Sequence, residues 1–328
     1  MIPHFEIDGD GPPLVLLNSL GTTVDMWRPQ VTPLGNRFCL IRFDARGHGR
    51  TPFATGGGGG GDSGSDRGVG GADRGIGGGD RETGRESGGE VGTGRGDGSG
   101  SGTGHGDLGT GRGGRAQVED GTGERPGSAS ITVDDLAGDV VDLLDHLGIE
   151  RAHLAGVSLG GAVAMRLAVS RPERVDRLVL VSTAAELGTP EGWRDRADAV
   201  RAHGTASISA AAMSRWFSPA FVRDQPDTVA GFRRHFDACD DDGYAACCEA
   251  LGAMDQRDDV HRITAPALIV GGTADEVTTP ADAAFLDERI PGARMVLAEG
   301  AKHLLTAERP DWFNRLITEF LEDDHDES

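Results

Sequence analysis

An open, mostly parallel α/β sheet with helices on both faces is the fold class that the sequence predicts, and three observations predict it. Short apolar runs recur along the chain, among them Leu14-Val15-Leu16-Leu17, Leu178-Val179-Leu180-Val181 and Ala267-Leu268-Ile269-Val270. They are continuous instead of alternating, as strands covered on both faces must be. Segments with apolar residues at helical spacing lie between them. The third observation is Gly156-Val157-Ser158-Leu159-Gly160-Gly161, a tight glycine-flanked turn between a strand-like run and a helical one.

Taken in order, His4 to Ile7 alternates and reads as an edge strand, and Gly9 to Pro13 as a turn. Leu14–Leu17 is the first buried strand and ends in the loop Asn18-Ser19-Leu20-Gly21-Thr22. Cys39–Phe43 is the next, followed by Asp44-Ala45-Arg46-Gly47-His48-Gly49. His48 in that loop reads as structural and not as an acid or base, with Gly47 and Gly49 taking positive φ. From Gly56 to Ser128 the character changes: 32 of the chain's 53 glycines fall there, with only scattered apolar residues. Such a segment cannot bury enough surface to offset its ordering entropy and is expected to be a disordered insertion. Folding resumes at Ile131. Thr132 is a natural N-cap with Asp135 in the reciprocal position, Leu136, Val140, Leu143, Leu144 and Leu147 share a helix face, and Gly148 stops the helix. The Ala152–Ala155 strand, the Ser158 turn, a helix from Ala162 to Ser170 and the Arg177–Ser182 strand follow.

Between Ala184 and Ile263 no strand pattern occurs. Four helical stretches are expected, at about 191–202, 207–216, 228–239 and 243–253, with Pro219 and Pro226 as punctuation. A helical block between two core strands is expected to be a cap over the site. The Ala267–Gly272 strand ends in Thr273-Ala274-Asp275, the Arg294–Ala298 strand is followed by His303, and a helix from Pro310 to Leu321 closes the chain. The domain organisation expected is therefore a core of residues 1–55, 129–184 and 264–328, an insertion at 56–128 and a cap at 185–263.

Composition excludes several classes of function. Net charge is −21, from 32 basic and 53 acidic residues, which argues against nucleic acid or an anionic membrane as partner. The N-terminus has no basic and apolar signal pattern, and no apolar run approaches the roughly 20 residues that span a bilayer. A cytoplasmic protein follows as the expectation, with Cys39, Cys239, Cys247 and Cys248 as free thiols. No cysteine pair has metal-ligand spacing, and no metal or other cofactor is expected. Oligomeric state is not readable.

The chemistry rests on spacing. Gly-x-Ser-x-Gly between a strand and a helix is the nucleophile elbow of the α/β-hydrolase fold. The flanking glycines allow the sharp turn that presents the Ser158 hydroxyl, and the following helix aims its first N–H groups at the same point. Ser158, Asp275 and His303 each lie just past a predicted strand, in the chain order of the α/β-hydrolase triad. Asp275 is expected to orient His303, and His303 to take the Ser158 proton. The backbone N–H groups of Leu20 and Leu159 are the expected oxyanion hole.

Outside the insertion the chain resembles the 3-oxoadipate enol-lactonases. The resemblance is carried by Asn18-Ser19-Leu20-Gly21-Thr22 with Met26-Trp27, by Arg46-Gly47-His48-Gly49, by the elbow, and by three cap segments: Gly188 to Trp193, Arg215-Trp216-Phe217-Ser218-Pro219, and Gly243 to Cys248. It implies a small anionic enol-lactone as substrate and hydrolysis to 3-oxoadipate without a cofactor. Trp216, Arg215 and Trp27 are candidates to contact that substrate, with no choice possible among them at this stage. A serine esterase of the same fold acting on another small ester, and a non-catalytic ligand-binding protein, are the alternatives. An Asp nucleophile, as in dehalogenases and epoxide hydrolases of this fold, is excluded by Ser158.

Overall fold

A computed structural model describes residues 1–53 and 130–323; the insertion expected at 56–128 lies outside the described residues. Seven strands form one sheet: β1 (Phe5–Asp8), β2 (Pro13–Leu17), β3 (Cys39–Phe43), β4 (Ala152–Val157), β5 (Val175–Val181), β6 (Ala267–Gly272) and β7 (Arg294–Ala298). Their spatial order is β1-β3-β2-β4-β5-β6-β7. Only β1 is antiparallel, pairing Glu6 with Arg42. All seven runs read as strands in the sequence are strands here. The central ones are apolar throughout because both faces are covered: Val15, Leu154, Val179 and Ile269 lie at the middle of four neighbouring strands and are buried.

Eleven α-helices are described: α1 (Arg28–Gly35), α2 (Val133–His146), α3 (Leu159–Ser170), α4 (Pro190–His203), α5 (Ser209–Trp216), α6 (Pro219–Asp224), α7 (Pro226–Asp237), α8 (Asp241–Gly252), α9 (Pro280–Arg289), α10 (Leu305–Glu308) and α11 (Pro310–Glu322). From β2 the chain crosses by α1 to β3 on one side, then returns by α2 to β4 on the other side of β2. Right-handed crossovers in opposite directions place α1 and α3 on opposite faces. The packing agrees, since α2 lies against α3 and α1 against α11. The carboxyl ends of β2 and β4 diverge at this reversal, and a crevice for ligands opens there in open α/β sheets.

α2 starts as its sequence predicts. The Thr132 hydroxyl accepts from Asp135 N–H at 3.1 Å and Asp135 Oδ2 accepts from Thr132 N–H at 2.8 Å. At the sheet edge, buried Arg42 donates from Nη2 to Glu6 at 2.9 Å and Asp8 at 2.6 Å, which ties down the short β1. The block from 185 to 263 departs from expectation in one respect: it holds five α-helices, not four. The additional one, α6, begins with Pro219 at its first position and with the Ser218 hydroxyl accepting from Phe221 N–H. Proline there is a helix start, because its missing N–H would have had no partner. Cys239, Cys247 and Cys248 are buried free thiols. Burial pushes the Cys248 thiol up to about 12, which keeps it protonated and unreactive. Among the described residues no helix is long and apolar enough to cross a membrane.

Candidate active site

Ser158 stands between β4 and α3 with φ 56° and ψ −113°, a conformation that L-residues adopt only when the surroundings impose it. The surroundings are backbone. A Cβ on Gly156 would sit 2.3 Å from the Gly160 carbonyl oxygen, and one on Gly160 would sit 2.3 Å from that of Leu17. Both positions therefore exclude any side chain, and the turn is held from below. Ser158 N–H donates to Val181 O at 2.9 Å, while Ser158 O accepts from Ala162 N–H at 3.0 Å and from the Thr183 hydroxyl at 2.8 Å. The backbone of Ser158 is thus fully engaged. Its hydroxyl makes no hydrogen bond among the described residues.

Asp275 follows β6 and His303 follows β7, and the two are brought together: His303 Nδ1 donates to Asp275 Oδ2 at 2.9 Å, with both side chains buried. The tautomer is inferred from that bond, which leaves Nε2 with a lone pair. Asp275 Oδ1 also accepts from the N–H groups of Val277 at 2.8 Å and Thr278 at 3.1 Å, and Oδ2 from the Thr278 hydroxyl at 2.8 Å. Burial alone would raise the Asp275 carboxyl; His303 and these donors outweigh it and hold it below the usual carboxylate range. A buried anion so held can fix the imidazole and stabilise its protonated form. Sequence reasoning missed Thr278. Its only signal was a hydroxyl three residues after the acid, where an Asx-type turn closes.

The loop after β2 is shaped by neighbours that claim nearly every donor in it. Ser19 N–H faces Met26 Sδ at 3.4 Å, Gly21 N–H donates to His48 Nε2 at 2.9 Å, and Thr22 N–H donates to Ser19 O at 3.1 Å. The N–H of Leu20 is left without a partner among the described residues, as is that of Leu159 at the first position of α3. These are the two donors expected from the sequence. His48 is structural, as read, but its role reaches the site. Its Nδ1 donates to Arg46 O at 2.9 Å, so its Nε2 can accept only as the neutral ring, and burial pushes its pKa down accordingly.

The substrate-contact candidates fare differently. Trp27 is fully buried against Phe313, and its indole N–H is spent on Asn18 Oδ1 at 2.9 Å. The expectation that Trp27 touches substrate is corrected: it anchors the loop instead, because Asn18 also donates to Phe43 O at 2.7 Å and so ties β2 to β3. The Trp216 ring is buried edge-on against Phe236, with centroids 5.4 Å apart, and against Phe232 at 6.5 Å. Arg215 beside it is exposed, its Nε donating to Ala211 O at 3.3 Å. The helical block sits over the strand ends at specific points. Trp216 O accepts from Leu304 N–H at 3.1 Å and Ser214 O from Lys302 Nζ at 3.0 Å, on either side of His303. Gly243 of α8 packs on Gly47, and the Tyr244 ring lies against Gly21. A cleft of about 810 Å³ lies elsewhere, between Arg28, Phe232, His235 and Glu308.

Comparison with known proteins fits this geometry. The family model described as alpha/beta hydrolase fold matches residues 12–310. The chain is 30% identical to 3-oxoadipate enol-lactonase 2 of Acinetobacter baylyi over 94% of its own length and 88% of that protein. It is 27% identical to 3-oxoadipate enol-lactonase 1 of the same organism, covering 96% and 91%. Among solved structures, the enol-lactonase from Burkholderia xenovorans LB400 superimposes with a TM-score of 0.73 at 31% identity, covering 97% of this chain and 95% of that one. With a seven-stranded sheet, a strained serine at the strand-to-helix turn and a match along nearly its whole length, the chain belongs to the alpha/beta hydrolase fold family, as an ester hydrolase whose sequence groups with the 3-oxoadipate enol-lactonases.

Proposed function

We propose that this protein hydrolyses 3-oxoadipate enol-lactone to 3-oxoadipate, in the cytoplasm, as a step of aromatic catabolism by the β-ketoadipate pathway. One observation carries the mechanism: a buried Asp275–His303 hydrogen bond; it is supported by two N–H groups, those of Leu20 and Leu159, that have no partner among the described residues. Ser158 Oγ attacks the lactone carbonyl carbon while His303 Nε2 takes its proton. The carbonyl oxygen becomes an oxyanion held by Leu20 and Leu159, each N–H worth about 3 kcal/mol in the transition state. The ring C–O bond then breaks, His303 returns the proton to the leaving enol oxygen, and the enol rearranges to the ketone. Water attacks the acyl-serine with His303 again as base, and the second carboxylate leaves with Ser158 restored. The residues that lie against this centre from the helical block, chiefly on α5 and α8, fall in the segments through which the chain resembles the enol-lactonases, which supports the assignment of substrate.

The test is loss of the enol-lactone's ultraviolet absorbance, with the substrate generated in situ, beside hydrolysis of neutral nitrophenyl esters. Wild type is expected to favour the enol-lactone by at least about tenfold in kcat/KM, that is by about 1.4 kcal/mol in transition-state binding. Ser158→Ala is expected to retain less than about a thousandth of kcat. Equal or better turnover of the neutral esters would make the protein a general esterase of the same fold.

A further inference from the structure

A buried carboxylate, Glu308 at the end of α10, joins two segments that lie far apart in the sequence. Its Oε1 accepts from the N–H of Ser218, between α5 and α6, and its Oε2 accepts from the N–H of Lys302 at 2.8 Å. No arginine, lysine or histidine forms an ion pair with it among the described residues. The rest of the arrangement is backbone. Leu304 N–H donates to Trp216 O at 3.1 Å, and Glu308 N–H donates to Leu304 O at 3.1 Å. These bonds close a ring from Glu308 through Ser218 and Trp216 to Leu304 and back, with Lys302 tied in beside it. His303 stands between Lys302 and Leu304, so its backbone is gripped on both sides.

A buried charge without a counter-ion is unfavourable, and for packing alone an apolar side chain would serve as well or better. What the carboxylate supplies is two oxygens that only accept. Each takes one N–H, and neither N–H has another acceptor among the described residues. Glutamine offers one such oxygen, and its amide nitrogen would face an N–H donor to donor. Aspartate keeps both oxygens on a side chain one methylene shorter. Two restraints thus act on His303. Asp275 fixes the ring through Nδ1, and the Glu308 bridge fixes the backbone from which the ring projects. Both matter, because a misplacement of about 1 Å at a reacting group can lower the rate by about 100-fold.

We propose that Glu308 is a positioning residue for the hydrolysis: by accepting from Lys302 and Ser218 together, it sets the backbone of His303 and ties that setting to the helical block. Its effect on the reaction runs through His303. The inference deepens the proposed function and rests on it for the role of His303 as base.

The experiment uses the full chain as wild type, Glu308→Gln, Glu308→Asp and Gln30→Ala. Gln30 is the control: its Nε2 donates to Thr306 O at 3.1 Å, so it holds the same short helix without bonding to Ser218 or to residues 302–304. Each variant is assayed on the enol-lactone and on p-nitrophenyl acetate, with rates expressed per Ser158 labelled to completion by a fluorophosphonate. Glu308→Gln is expected to lower kcat per labelled serine by about 10- to 100-fold on both substrates, with KM within about threefold of wild type. The low-field proton resonance of the Asp275–His303 bond shifts or broadens in the same variant, a readout that needs no substrate. Glu308→Asp falls between Glu308→Gln and wild type. Gln30→Ala loses several degrees of melting temperature and keeps kcat per labelled serine within about twofold of wild type. Circular dichroism checks that each variant is folded, and if Glu308→Gln fails that check, Glu308→Asp carries the comparison. A kcat per labelled serine within about twofold of wild type in Glu308→Gln, or an equal fall in Gln30→Ala, would overturn the inference. If wild type is inert on the enol-lactone yet Glu308→Gln slows the nitrophenyl ester, the proposed substrate fails and the role of Glu308 stands. If wild type turns the lactone over and Glu308→Gln matches it, the role of Glu308 alone fails.

Discussion

Thr278 shows how much of the proposed triad depends on a residue outside it. Its hydroxyl and backbone N–H supply two of the four hydrogen bonds that Asp275 accepts, and its Oγ1 is 3.4 Å from His303 Nδ1. Thr278→Val keeps the shape and the backbone bond and removes the hydroxyl donor to a buried anion. A hydrogen bond to a charged group is worth about 1.5–3 kcal/mol, so kcat is expected to fall by about 10-fold or more. The Asp275 carboxyl, no longer held down by that donor, rises, which the pH profile of kcat would register at its acid limb. Thr278→Ser should restore most of both. A Thr278→Val enzyme with wild-type kcat and an unmoved profile would mean that the two backbone donors suffice. The residues readable from the sequence were those with a motif or a chain order behind them: Ser158 in its glycine turn, Asp275 and His303 past their strands. Thr278 and the contact from Gly21 to His48 have no such signal, since each depends on a distance between segments that only folding sets.

At the scale of the element, α5 is a piece that joins the helical block to the segment around His303, the proposed base. Trp216 at its end packs on Phe232 and Phe236 of α7, and its carbonyl holds Leu304. Trp216→Ala opens a void at this junction. Truncating a buried aromatic costs about 3–5 kcal/mol, and the melting temperature is expected to fall by several degrees. Because α5 also positions the chain around His303, kcat should drop alike for anionic and neutral substrates, whereas Trp216→Phe keeps most of it. A selective loss on the enol-lactone would instead place the Trp216 ring against the substrate. The strands were the most legible elements, because burial on both faces leaves an unbroken apolar run. α1, α6, α9 and α10 were not recognised: α1 carries Pro29 and Pro33, α6 has only six residues, the first of them Pro219, and α10 has four. In α9 the start is a capping box of Thr279 with Asp282, whose polar chemistry leaves no apolar periodicity to read.

For the whole molecule, acid should be the vulnerable side. Burial pushes both His48 and His153 below the ordinary histidine value in the folded chain. A depressed folded pKa contributes stability that is present above the unfolded value, about 6.5 for histidine, and is lost as pH falls through the folded one. Asp275, also depressed, adds a further loss at lower pH, below about 3.9. The melting temperature is therefore expected to be level from pH 8 to about 7 and to decline from about 6.5 downward. His48→Asn, which can still accept from Gly21 N–H, should flatten part of that decline. A melting temperature that rises on acidification to pH 5 would contradict the assignment of both rings as neutral in the folded state.

The two hydrogen bonds that α5 makes on either side of His303 have a consequence for motion. Residues 302 and 304 are fastened to Ser214 and Trp216, so the helical block cannot hinge away as a rigid door without pulling on the strand-end segment that carries His303. Opening and disarming are then one event. With His303 as the proposed base, an unlatched molecule would carry a misaligned histidine and leave a passing ester alone.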